Sequence, residues 1–136
     1  MKLNIIGPND PALDVLQMAL AQRPDLNAEL TIIPWPDYRE TLMATLTADV
    51  APNQAVFVPG HIWLPELAEA GYLADLDGLI TAVSDLVFLA YNPDDIVPSI
   101  ANECRYQGHQ YQLPFFSDGH ILFYRKDLIT LDDSDG

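Results

Sequence analysis

Three sets of side chains in this 136-residue sequence are of types that could do chemistry. The first is His61, His109 and His120 with the single cysteine, Cys104. These are metal-ligand types, but no two have the close spacing of a zinc motif. They read as satisfied surface or turn histidines, with Cys104 a small core residue on the apolar face of a helix. The second set is Ser117, Asp118 and His120. A nucleophilic serine needs a base within hydrogen-bond reach and a sharp turn that exposes it. The flanking pattern of such a turn is absent, and three polar residues close in sequence are not a triad. No catalytic residue, cofactor or metal is therefore expected, and the chain is not read as an enzyme. The acidic pairs Asp94-Asp95 and Asp132-Asp133 read as a helix cap and a solvated tail. The third set is Trp35 and Trp63 together with Asn9 and Asp37. Flat aromatic faces suit the C–H side of a pyranose ring, and side-chain acceptors suit its hydroxyls. The blander reading makes the tryptophans half-buried packing residues and the aspartates helix caps.

Such residues matter only if the chain positions them together. Lys2 to Ile6 suits a strand, which Gly7-Pro8-Asn9 breaks. Asp10 then reads as an N-cap with Pro11 at the first helical position. Leu13, Leu16 and Leu20 share one face of a helix over 11–22 that Pro24 ends. A second strand over 30–33 stops at Pro34-Trp35-Pro36. Asp37 with Glu40 is a variant capping box, opening a helix over 37–48 with Tyr38, Leu42 and Leu46 facing inward. Ala55 to Val58 suits a short buried parallel strand. Pro65 begins a helix over 64–70, and Gly71 closes it. Further on, Asp77 caps a weak helix; Val97, Ile100 and Cys104 share a helical face; Tyr106 to His109 is a turn; and His120 to Tyr124 is a strand. The alternation predicts an α/β fold, a mostly parallel sheet with helices on both faces. In open sheets of this kind ligands sit at the carboxyl ends of the strands. Asn9 and Asp10, Trp35 and Asp37, and His61 and Trp63 then fall along one rim.

Composition narrows the classes of partner. The net charge is -14, from 20 acidic and 6 basic residues, and the basic ones are scattered. Duplex binding draws most of its affinity from neutralised phosphates, so nucleic acid is not an expected partner. An anionic membrane surface is no better. No stretch approaches the roughly 18–20 apolar residues of a spanning helix, and the start lacks the pattern of a secretory signal peptide. With 49% hydrophobic residues the chain reads as one globular domain.

Three stretches together carry a family resemblance. Tyr106-Gln107-Gly108-His109-Gln110-Tyr111-Gln112-Leu113-Pro114, followed by Leu122-Phe123-Tyr124-Arg125-Lys126-Asp127-Leu128, resembles the YDGKxYGLP…LYYNKDL signature of solute-binding proteins that feed ABC importers, many of them for sugars. Tyr38 to Met43 resembles that family's DYxxKL helix start. Phe57 to His61 with Leu64 to Asp77 resembles its DVVFVDxxWLPELAEAGLLAPLD stretch. Departures include Asn53-Gln54 for the usual Pro-Asp, His109 for a frequent Lys, and Gln112 for Gly.

The resemblance implies a periplasmic-binding-protein-like first lobe over 1–114, a crossover or hinge segment over 115–129, and a disordered acidic tail over 130–136. It adds Phe116, Ser117 and Asp118, at the crossover, to the expected ligand site. It also implies a small polar, sugar-like solute, an importer permease as partner of the full-length protein, and an extracytoplasmic location. The family holds its ligand between two lobes, and this chain is expected to be an excised first lobe supplying one wall. The alternative is a truncated structural or interaction module that binds nothing small. In the family the strand at 120–124 joins later chain, so it is expected here to pair with a second copy through 115–129.

Overall fold

The computed structural model describes residues 2–50, 55–59, 61–83 and 91–117, with the backbone but not the side chain of His61. Its centre is a parallel sheet of β1 (Leu3–Pro8), β2 (Ala28–Ile33) and β3 (Ala55–Val56), in the order β2-β1-β3. β1 pairs with β2 in register from Leu3 opposite Ala28 to Pro8 opposite Ile33. Ile5 and Ile6 lie opposite Ala55 and Val56 of β3. The Phe57 amide also donates to the Ile6 carbonyl at 3.0 Å, carrying the pairing one residue further.

Helix α1 (Ala12–Gln22) joins β1 to β2, and α2 (Trp35–Leu46) joins β2 to β3. Adjacent strand residues point to opposite faces, so Ile5 and Ile6 report on both sides of the sheet. Ile6 packs with the fully buried Tyr38 and Leu42 of α2, and with Ile33, Leu46, Val56, Phe57 and Trp63 around them. Ile5 instead lines a cleft together with Leu13 and Leu16 of α1. The two helices thus cover opposite faces, as the alternating pattern requires. Leu13 is 1% exposed, and a side chain so enclosed contributes about 1.5–3 kcal/mol.

Three short helices follow, α3 (Leu64–Glu69), α4 (Asp77–Ala82) and α5 (Pro98–Glu103). The antiparallel hairpin β4 (Arg105–Tyr106) and β5 (His109–Gln110) comes next. α3 ends with the Tyr72 amide on the Leu67 carbonyl and the Gly71 amide on the Ala68 carbonyl, with Gly71 at φ +71°. That reciprocal pair is the Schellman closure, which favours glycine because its backbone must turn left-handed. Gln107 at φ +50° and Gly108 at φ +89° make the hairpin loop a two-residue turn of the primed kind.

Four local expectations change. Helix α1 begins at Ala12 with Pro11 as N-cap, and Asp10 acts one step earlier, its Oδ1 accepting from the Ala12 amide at 2.9 Å. Helix α2 begins at Trp35, not Asp37, and no capping box forms. Pro36 sits in its first turn, where no amide hydrogen is needed. α4 takes its cap-like bond from Asp75, whose Oδ1 accepts from the Asp77 amide at 2.9 Å. Asp94 and Asp95 lie in a 3-10 turn over Pro93–Asp95, while Val97, 61% exposed, holds the N-cap of α5 and leaves the shared apolar face to Ile100 and the buried Cys104. The strand expected at 120–124, the tail at 130–136 and all of 118–129 lie outside the described residues.

Candidate functional site

The site begins where β1 and β3 end. Tyr38 reaches up from α2 and donates its hydroxyl hydrogen bond to the Phe57 carbonyl, with the Ile6 carbonyl also within 3.3 Å. One phenol thereby ties together the carboxyl-terminal ends of two neighbouring strands. Burial, partly offset by the Phe57 carbonyl, pushes its acidity well below that of ordinary tyrosine. Gly7, next to Ile6, is buried because the chain passes close to its neighbours there. A Cβ at that position would fall inside the contact distance of Leu13 Cδ1 and 3.2 Å from the Phe57 ring.

A cleft of about 960 Å3 runs from these ends along the α1 side of the sheet, where Ile5, Leu13, Leu16 and Ala55 also line it. Pro8, Asp10 and Trp35 supply the rim after β1 and β2, and Phe57 to Pro59 with Ile62 supply the rim after β3. The facing side comes from Leu73, Ala74, Leu76, Cys104 and the run Tyr111 to Ser117. Phe115 meets Phe57 edge-on with ring centroids 5.3 Å apart, so the chain's last described segment is anchored on the strand end. Phe116 meets Phe115 in the same manner at 6.2 Å. The volume lies at the upper part of the range for small-molecule clefts, about 300–1,000 Å3.

Of the residues singled out in the sequence, Asp10, Trp35, Phe116 and Ser117 line this cleft. Trp35 is 46% exposed and touches Tyr38 edge-on, leaving indole surface free for a ligand. Trp63 does not line the cleft: it packs against the core around Tyr38 and carries the Arg39 guanidinium 4.9 Å above its ring. Asn9 is exposed, its amide bonded to the Ile33 carbonyl at 2.8 Å, and Asp37 is exposed in the first turn of α2. Neither lines the cleft. Asp118 and the His61 side chain lie outside the described residues.

Sequence reasoning passed over Gln112. Its side-chain Nε2 is buried against the cleft with no hydrogen-bond partner among the described residues. A buried donor left unpaired costs about 1–3 kcal/mol, so an occupant that accepts from it gains directly. The signal was present in the substitution of Gln for the small residue of the resembling pattern. The cysteine is the opposite case. Burial, with a contribution from the Glu103 carboxylate, holds the Cys104 thiol above its ordinary value, which suits an inert packing residue.

Comparison with known proteins decides the family. The family model described as bacterial extracellular solute-binding protein matches residues 9–135. The chain belongs to that family. A maltotriose-binding protein of Pyrococcus abyssi is 29% identical over 111 residues, covering 82% of this chain and 22% of its own length. A solute-binding protein of an ABC transporter from Agrobacterium radiobacter, solved in complex with ribitol, superposes with a TM-score of 0.65 at 23% identity. That match covers 81% of this solute-binding family member and 27% of the other chain. The chain therefore spans about a quarter of the length of these relatives. The likeness extends the parallel-sheet architecture seen here to the periplasmic-binding-protein fold. Among the described residues no helix is long and apolar enough to cross a membrane.

Proposed function

We propose that this chain forms one wall of a carbohydrate-binding cleft in an ABC-importer receptor working outside the cytoplasm, with an oligosaccharide of the maltotriose kind as its solute. The carrying observation is the cleft that runs from the strand ends, where an exposed indole face stands with a carboxylate and a buried amide donor that no described residue accepts from. Trp35 and Phe116 supply apolar faces for the C–H side of a sugar, Asp10 accepts from hydroxyls, and Gln112 donates to one. Membership of a family of solute-binding proteins and the named ligand of the Pyrococcus relative support the same class of solute. Ser117 lines the same cleft; Asn9, Asp37, His61 and Asp118 belong to the proposed rim in a full-length protein, and the permease is its proposed membrane partner.

A thermal-shift screen with sugars, polyols, phosphates and polyamines tests this reading. Maltotriose should raise the unfolding temperature of the chain and phosphates and polyamines should not. No shift with any sugar, even at tens of millimolar, would favour the structural or interaction module instead.

A further inference from the structure

Away from the cleft, Asp75, Asp77 and His109 each offer a ligand atom within 4.8 Å of the others. We propose that they form a binding site for a zinc-type divalent cation, one that takes nitrogen and carboxylate donors together. His109 Nδ1 lies 2.9 Å from Asp75 Oδ2 and 3.2 Å from Asp77 Oδ2. A tetrahedral ion with metal–ligand bonds of about 2.0–2.1 Å holds its ligands about 3.3 Å apart, so His109 Nδ1 already stands near that distance from both carboxylates, and all three ligand atoms lie within 4.8 Å of one another. Water completes the remaining positions.

The other halves of these carboxylates are already engaged. Asp75 Oδ1 accepts from the Asp77 amide at 2.9 Å, and Asp77 Oδ1 faces the Arg105 guanidinium at 3.9 Å. Each carboxylate is thus oriented by one oxygen while the second turns toward the imidazole, the usual arrangement of ligands held from behind. Arg105 is itself fixed across the hairpin, donating to the Gly108 carbonyl at 3.1 Å and to Gln110 Oε1 at 3.2 Å. The Leu76 amide donates to the Gln110 carbonyl at 2.8 Å, tying the start of α4 to β5. The backbone therefore presents the donors without needing the ion to assemble them. One imidazole with two carboxylates favours zinc, copper or nickel over magnesium and calcium, which prefer oxygen alone. An ion here would staple α4 to the hairpin, close in sequence to Leu76, Tyr111 and Gln112 of the cleft.

The test is calorimetric titration of the chain with zinc chloride, repeated with magnesium chloride and calcium chloride. The acidic surface gathers divalent ions diffusely, so the comparison with His109→Gln carries the weight. Expected are one saturable zinc event at micromolar concentrations, at least tenfold weaker in His109→Gln and in Asp75→Asn, and no saturable event with magnesium or calcium. Circular dichroism checks that both variants stay folded, and a zinc-dependent rise in unfolding temperature, present in the native chain and absent from His109→Gln, gives a second readout. Saturable zinc binding of equal strength in His109→Gln would assign it to other ligands and overturn the proposal. So would no saturable zinc binding, or equal binding of magnesium.

Discussion

Tyr38 shows how much a single side chain does here. Its hydroxyl bonds at the ends of β1 and β3, and its ring is wholly buried. Removing it in Tyr38→Phe strands the Phe57 carbonyl and should cost about 1–3 kcal/mol in urea unfolding. The raised pKa has a consequence whose sign can be checked. The folded state keeps its proton where the unfolded chain loses it, so the stabilisation is complete below about pH 10 and is lost as pH rises beyond. Between about pH 10 and 12 the native chain should lose stability more steeply than Tyr38→Phe, by up to ~1.4 kcal/mol per pH unit. Equal slopes would mean that the phenol titrates normally. Gln112 gives a prediction of the opposite kind. Gln112→Leu removes a buried donor with no partner among the described residues, so stability should hold or rise while sugar binding weakens. A loss of stability would show that the amide is paired.

At the scale of elements, the periodic helices were legible because burial leaves a 3.6-residue trace. Leu13, Leu16 and Leu20 mark α1, and Tyr38, Leu42 and Leu46 mark α2, with the expected faces turned inward. Helix starts were read less well, because proline and aspartate both serve several positions around an N-terminus. Pro36 was taken as a stop and is part of the first turn, and Asp77 was taken as a cap where Asp75 does that work. Gly71 was readable because a left-handed closure calls for glycine. Gly71→Ala should cost about 1 kcal/mol in thermal or urea unfolding, since nothing crowds the position and only the backbone conformation is strained. The grouping of Asp75, Asp77 and His109 could not be read from spacing, because the hairpin and the tie from Leu76 to Gln110 bring together residues distant in sequence. For the same reason the split between Trp35 on the cleft and Trp63 in the packing was invisible: both follow strands, and only the position of Arg39 and the Tyr38 core separates them.

For the whole molecule, the charge of -14 and the open cleft set the behaviour to expect. Pairing of two copies through 115–129, proposed from the apolar run His120 to Tyr124, should tighten as salt screens the like charges. Light scattering at low and high salt, on the intact chain and on one ended after Pro114, checks it; an intact chain that stays monomeric in both would overturn it. The cleft bears on affinity. A single wall buries much less of a sugar than the about 70–90% typical of a closed pocket, so millimolar binding is expected, worth about 4 kcal/mol. The central claim is that solute meets this chain at the carboxyl ends of its parallel strands. The most direct measurement is titration of the isotopically labelled chain with maltotriose, followed by amide and indole chemical shifts. The account predicts saturable shifts at millimolar sugar centred on Asp10, Trp35, Gln112, Phe115 and Phe116, largely lost in Trp35→Ala. Shifts centred elsewhere, or none at tens of millimolar sugar, would contradict it.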